Sequence, residues 1–188
     1  MKKITLFLTA IICSTLVKAN DSYILPANVN NGFSFGFHLN QFKDDFGLGL
    51  NLTSPTIANA FAVRLRGNFM YFEHLQFDTP DSSGIQTWTP YSNIMLGMAG
   101  FSGVVANHFK LYGEGGLIAI LPSAEFSDES NVLGGYGLFG FEFFSSLATS
   151  YFIEIGGIGT GASAEKIPGK PIYSNGLLMS VGFRYTLN

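Results

Sequence analysis

The chain has 188 residues, of which 47% are hydrophobic, 15% are aromatic and only 12% are charged, with 23 Gly and 19 Phe. This length suits one domain or at most a small pair, and the scarcity of charge argues against a helical enzyme or a disordered tail. The formal net charge of -3 argues against a basic nucleic-acid-binding protein, so we expect no nucleic-acid partner.

The N-terminal segment has the pattern of an export signal. Lys2 and Lys3 precede an apolar run at residues 4–17, and a small residue at position 19 offers a cleavage site. The run is shorter than the about 20 residues that a membrane-spanning helix needs. We therefore predict a signal peptide at residues 1–19, which directs Sec-dependent export, and a mature domain at residues 20–188.

Eight segments of the mature domain alternate apolar with small or polar residues, which is the pattern of a strand whose two faces meet different surroundings. The predicted strands span residues 32–40, 46–53, 60–72, 87–100, 108–121, 135–144, 150–161 and 175–188. In an up-and-down meander, one end of the sheet then carries the three long connections, 73–86, 122–134 and 162–174. Long loops at one end and short turns at the other are typical of an outer-membrane barrel, although the first connection, 41–45, is short.

Alternation alone leaves open whether the apolar face points inward, as in a soluble lipocalin-like barrel, or outward into lipid. Seven charged residues lie in the predicted strands, all opposite the aromatic side chains: Arg64, Arg66, Lys110, Glu114, Glu142, Glu154 and Arg184. The same face is rich in glycine, which suits the narrow interior of an eight-stranded barrel. A charge on the lipid-facing side would cost about 2–4 kcal/mol at the midplane. The sequence therefore predicts an all-β, closed, eight-stranded antiparallel up-and-down transmembrane β-barrel.

The export signal, the eight alternating strands, the three long loops and the terminal strand at 181–188 resemble the small outer-membrane β-barrels of Gram-negative bacteria, of the OmpA, OmpX and opacity-protein type. The resemblance is one of pattern and covers the whole mature chain. It implies contacts with outer-membrane lipid and lipopolysaccharide, and recognition of the last strand by the barrel-assembly machinery. The ending Leu187-Asn188 departs from the aromatic ending usual for that signal, and we expect no peptidoglycan-binding domain.

We predict that the seven charged residues form a structural ion-pair network in the lumen, because buried charges are normally paired. Glu142 and Glu154 are expected to be direct cross-strand neighbours about a turn centred near Ala148. Arg184, with Arg64 and Arg66 across the lumen, is expected to supply the cation between them. A gated ion path or a carboxylate dyad for hydrolysis are the alternatives that the same residues offer.

Other candidate sites give weaker signals. A group of inward apolar residues is expected to fill the upper core or to line a small pocket open to the outside, namely Met70, Phe72, Ile118, Ile120 and Ile158. His38, His74 and His108 share no ligand spacing, so we expect no metal, no cofactor and no catalytic histidine.

The sequence therefore favours a non-enzymatic integral outer-membrane protein. We expect a role in envelope structure, or in contact with an unknown surface partner through loops 73–86, 122–134 and 162–174. A lipid-modifying outer-membrane enzyme and a soluble periplasmic ligand carrier remain as alternatives.

Overall fold

A computed structural model describes residues 32–58, 60–76, 84–105 and 109–187, without the side chains of residues 103–105. The predicted signal peptide at 1–19 lies outside these residues. The described chain contains no helix that is long and apolar enough to cross a membrane.

Antiparallel strands form a closed barrel in which each strand pairs with its neighbours in the sequence, and the first strand pairs with the last. The strands are β1 (Phe33–Phe42), β2 (Asp45–Thr53), β3 (Phe61–Gln76), β4 (Ile85–Val105), β5 (Phe109–Leu121), β6 (Val132–Phe144), β7 (Thr149–Gly159) and β8 (Gly176–Leu187). The predicted all-β, eight-stranded up-and-down barrel is confirmed.

The two ends of the barrel differ in their connections. We call one the turn end; it holds the first residue of β1, the last residue of β8 and the short connections at 54–60, 106–108 and 145–148. The other is the loop end; it holds a tight turn at 43–44 and the long connections at 77–84, 122–131 and 160–175.

Two predicted loops are shorter than expected because strand pairing continues into them. Residues 73–76 and 85–86 extend the β3–β4 hairpin. The side chains of its last two residue pairs are exposed on both faces, so the alternation that marks a strand is lost there. Residues 132–134 belong to β6, where Gly134 and Gly135 interrupt the apolar pattern.

The barrel wall is apolar outside, whereas its inner face carries the buried charged residues together with an apolar cluster. Along β3, Phe61, Val63 and Leu65 are exposed, whereas Arg64 and Arg66 between them are buried. This alternation continues on the other strands, so that large apolar side chains cover the outer surface. The arrangement is the reverse of the one that a soluble ligand carrier requires, and it suits contact with lipid.

Candidate functional site

The seven charged residues predicted from the sequence all point into the lumen, because each lies on the inward register of its strand. None of the seven residues is more than 9% exposed. Inward glycines make room for the large side chains. A Cβ atom added at Gly140 would clash with the ring of Tyr112, which extends into the lumen at this level.

Arg66 joins two carboxylates that lie on different strands. Its Nη1 donates a hydrogen bond of 2.6 Å to Glu154 Oε2, and its Nη2 donates one of 2.7 Å to Glu114 Oε2. Arg64 donates to Glu114 as well, and its Nη1 lies 3.5 Å from Glu154 Oε1. These contacts connect β3 to β5 and β7 through the interior of the barrel.

Arg184 joins the remaining carboxylate to this cluster. Its Nη1 lies 3.0 Å from Glu142 Oε1, and its Nη2 lies 3.2 Å from Glu154 Oε1. The guanidinium also lies over the ring of Phe152, 4.0 Å from the ring centroid. Ser150 Oγ donates a 2.6 Å hydrogen bond to Glu142 Oε1. Arg184 is therefore the cation that contacts both glutamates.

The expected pairing of Glu142 with Glu154 is wrong. Glu142 faces Phe152 and Glu154 faces Gly140 in the β6–β7 register. The β6–β7 turn is centred one residue before Ala148, so each glutamate is displaced from the other along the strand direction. The two carboxylates meet through Arg184 and not through a shared cross-strand position.

Lys110 lies nearer the turn end than the other cations. It faces Glu142 in the β5–β6 register. Its ammonium lies 5.9 Å from the ring centroid of Phe101 and 5.6 Å from that of Phe144. Lys110 thus shares the lumen with the cluster and lies beside two aromatic rings.

Two tyrosines complete the cluster, and the sequence analysis did not assign them to it. The Tyr112 hydroxyl donates to Glu154 Oε1, and the Tyr136 hydroxyl donates to Glu114 Oε1 at 2.8 Å. Both lie on the inward register: Tyr136 is on the strand next to that of Glu114, and Tyr112 reaches Glu154 from two strands away. Their inward register was the one sequence feature that indicated a place in the cluster. Tyrosine is also common in the outer aromatic girdles of such barrels, so the residue type alone did not indicate a lumen position.

A chain of neutral side chains continues from the cluster toward the loop end. Asn51 Nδ2 lies 3.1 Å from His38 Nδ1, and His38 Nε2 lies 2.8 Å from Asn68 Oδ1. Asn68 Nδ2 donates a 2.6 Å hydrogen bond to Asn93 Oδ1. Because the Asn51 amide donates to Nδ1, the His38 ring carries its proton on Nε2. Both ring nitrogens are therefore occupied.

Aromatic residues from two loops close the loop end. Phe126 and Tyr173 are 0% and 1% exposed, and their ring centroids lie 4.8 Å apart. Phe72 and Tyr91 pack against them from the barrel wall. The five upper-lumen residues predicted to be apolar filling or a pocket belong to this same core cluster. These five residues fill the core, which is the first of the two alternatives that the sequence offered, and all five are buried.

Polar contacts hold the two loops together above this aromatic cap. Glu165 Oε2 accepts a 2.8 Å hydrogen bond from Ser127 Oγ, and Glu165 Oε1 accepts one of 2.7 Å from Ser163 Oγ. The Asp128 amide also donates to Glu165 Oε2. The hydrogen bonds from Ser163 and Ser127 lower the pKa of Glu165 to about 2. The loops at 122–131 and 160–175 therefore form one unit.

The rim of the barrel holds this unit in place. Asp45 Oδ2 accepts a 2.7 Å hydrogen bond from the Tyr91 hydroxyl and another of 2.7 Å from the Ser174 amide. Asp45 is only 1% exposed. One carboxylate thus connects β2, β4 and the last long loop.

His74 does not form a hydrolytic triad with its described neighbours. Its Nε2 lies 2.9 Å from Thr89 Oγ1, and Thr89 Oγ1 donates to Glu125 Oε2 at 3.5 Å. In a catalytic triad the carboxylate forms a hydrogen bond with the imidazole and orients it. Here the Glu125 carboxylate contacts the Thr89 hydroxyl instead, and His74 Nδ1 makes no hydrogen bond within the described chain. His108 lies outside the described residues. Across the described ranges, no group of three or more His, Cys, Asp or Glu side chains is placed to hold a metal ion.

Solved structures share this architecture. OprG from Pseudomonas aeruginosa is similar with a TM-score of 0.59 and 12% identity, over 86% of this chain and 99% of that one. The N-terminal β-barrel domain of OprF from the same organism is similar with a TM-score of 0.55 and 9% identity, over 84% of this chain and 98% of that one. This chain has the fold of the small outer-membrane β-barrels. The resemblance predicted from the sequence is confirmed at the level of this fold.

A third similar structure is Ail, the attachment invasion locus protein of Yersinia pestis, with a TM-score of 0.45 and 11% identity over 83% of this chain and 97% of that one. No protein-family model matches the sequence, and a comparison with curated proteins found no match.

Proposed function

We propose that the chain is a non-enzymatic integral outer-membrane protein that serves envelope structure and surface contact. The observation that carries the proposal is the apolar outer wall around a lumen filled by ion pairs, amides and aromatic rings. Such a wall is stable in hydrocarbon, and a closed barrel satisfies its backbone hydrogen bonds there. The packed lumen supports a structural role for the seven charged residues better than a gated ion path.

The turn end faces the periplasm and the loop end faces outward in this proposal. Small outer-membrane barrels have short periplasmic turns and longer extracellular loops, and both described ends of the chain lie at the turn end. The surface available to a partner is then the β3–β4 hairpin together with the joined loops 122–131 and 160–175. The partner itself is a macromolecule or lipopolysaccharide at the cell surface.

The proposal includes export through the signal peptide at 1–19 and contact with outer-membrane lipid. It also includes recognition of β8 by the barrel-assembly machinery. The contacts of His74 support the non-enzymatic assignment, because no described carboxylate orients its imidazole; Glu125 contacts the Thr89 hydroxyl instead.

Site-directed labelling tests both insertion and orientation. Asp128 at the loop end has a side chain that is 73% exposed, and Ser145 at the turn end is also exposed. With a membrane-impermeant maleimide, Asp128→Cys should react on intact cells, and Ser145→Cys should react only after lysis. The opposite pattern would overturn the orientation.

Extraction and enzymatic assays test the rest of the proposal. A folded barrel should require detergent for extraction and should change its gel mobility on boiling. Extraction without detergent together with unchanged mobility would overturn insertion. Conversion of radiolabelled lipid A by the purified protein would overturn the non-enzymatic assignment.

A further inference from the structure

One buried carboxylate attaches the last long loop to the barrel rim. Asp45 accepts hydrogen bonds of 2.7 Å from the Tyr91 hydroxyl of the wall and from the Ser174 amide of loop 160–175. Tyr173, the residue before Ser174, packs against both Tyr91 and Phe126. The attachment of Ser174 therefore also positions one ring of the aromatic cap.

The backbone of the attached loop is strained. Ser174 has a φ of 48° and Lys170 has a φ of 43°, in the left-handed region that residues other than glycine adopt at a cost. Such conformations persist only where surrounding contacts hold them. The hydrogen bond from the Ser174 amide to Asp45 is one of these contacts, so the docked loop depends on the state of this carboxyl group.

Asp45 is buried without a cation beside it. It is 1% exposed and makes no ion pair among the described residues. On its own turn, Lys43 and Asp44 pair with each other at 3.6 Å, and both side chains are 66% exposed. Four further titratable groups lie on the elements packed around it, and none of them is a cation: Tyr91, Tyr173, Glu129 and Glu165.

The geometry of the attachment is compatible with a protonated Asp45. Both donors meet the same oxygen, Oδ2, so Oδ1 can carry a proton while both hydrogen bonds remain. Withdrawal from water penalises the charged form of a carboxyl group more than its neutral form. The two donors are themselves neutral, so they supply no positive charge that protonation would waste. An ion pair behaves in the opposite way, because protonation of its carboxylate breaks it.

We infer that Asp45 is an acid-strengthened latch that fastens loop 160–175 and the aromatic cap to the barrel rim. The docked, buried carboxyl group takes up a proton more readily than the undocked, hydrated one. By linkage, docking of the loop strengthens as the pH falls and weakens as the pH rises. The proposed orientation decides only which compartment the latch senses, and it places the latch at the cell surface.

Amide hydrogen exchange of the protein refolded in detergent micelles tests the inference at about pH 5 and about pH 8. After correction for intrinsic exchange, residues 171–175 of wild type should be about tenfold better protected at the lower pH. Asp45→Asn keeps an acceptor oxygen but cannot ionise, so it should be well protected at both pH values. Asp44→Asn is the matched control, because it neutralises an exposed carboxylate one residue away and should keep the wild-type response. His74→Gln should keep that response as well, and it is included because histidine titrates in this pH range.

A wild-type response that disappears in Asp45→Asn and persists in both controls supports the latch. Equal protection of wild type at both pH values, or better protection at the higher one, overturns it. A response that persists in Asp45→Asn, or that disappears in either control, also overturns it. Heat-modifiable mobility reports the folding of each variant. If Asp45→Asn does not fold, the NMR signal of the Ser174 amide in Asp44→Asn decides, and a signal that does not move between the two pH values overturns the latch. Because the experiment uses micelles, its outcome is independent of the orientation proposed for the cell.

Discussion

Replacing Arg66 with methionine removes the cation that bridges Glu114 and Glu154. The guanidinium donates four hydrogen bonds to these two carboxylates. Removing one partner of a buried ion pair costs about 3–5 kcal/mol. In this variant two buried carboxylates lose their closest cation at once, although Arg64 still contacts both of them. We expect Arg66→Met to lower the free energy of unfolding by that amount.

Arg184→Met should cost less, about 1–3 kcal/mol, the range for loss of hydrogen bonds to charged groups. When Arg184 is absent, Glu154 keeps Arg66 at 2.6 Å, and Glu142 keeps the hydrogen bond from Ser150 and the facing Lys110. The rank order of the two losses in unfolding free energy therefore tests the reasoning as well as either value does.

Urea unfolding in micelles measures both effects, with the fluorescence of Trp88, the single tryptophan of the sequence, and heat-modifiable mobility as independent readouts. Lys43→Met is a control, because Lys43 and Asp44 form an exposed pair at 3.6 Å that should contribute less than about 1 kcal/mol. The reasoning is refuted if Arg66→Met unfolds with the wild-type midpoint and slope, or if Arg184→Met is the more damaging change.

Two further predictions concern the loops. Phe126→Ala should make residues 122–131 sensitive to protease, because a buried aromatic ring contributes about 3–5 kcal/mol; continued resistance, matching that of a control at the exposed Ile172, would contradict this. The hydrogen bonds of Glu165 should be fully formed above its ordinary pKa of 4.5 and lost as the pH falls through about 2, because the folded-state pKa is the lower one. NMR titration of the Asp128 amide should show that midpoint, and a midpoint near 4.5 would contradict it.

The sequence predicted the barrel well because the outer face of each strand is exposed and apolar, whereas the inner face is buried in the lumen. Alternation placed Arg64, Arg66 and Arg184 inside, and the structure places them there. Strand ends were less predictable. Beyond the rim, at 73–76 and 85–86, backbone pairing persists although the exposed side chains no longer alternate.

The partners within the lumen were harder to predict than its charges. A shift of one residue in the centre of the β6–β7 turn moved Glu142 from opposite Glu154 to opposite Phe152. The aromatic cap was missed for another reason. Phe126 and Tyr173 lie in irregular loops, and no periodicity indicates that such residues pack into the barrel interior.

The pairing of β1 with β8 joins the first and the last described strands, from Phe33 with Leu187 to Phe42 with Leu178. The barrel therefore cannot close before β8 has been synthesised. Until then, both terminal strands keep unsatisfied edges that can pair with other polypeptides. A copy truncated before β8 should therefore retain two unpaired strand edges, which the bilayer core does not tolerate.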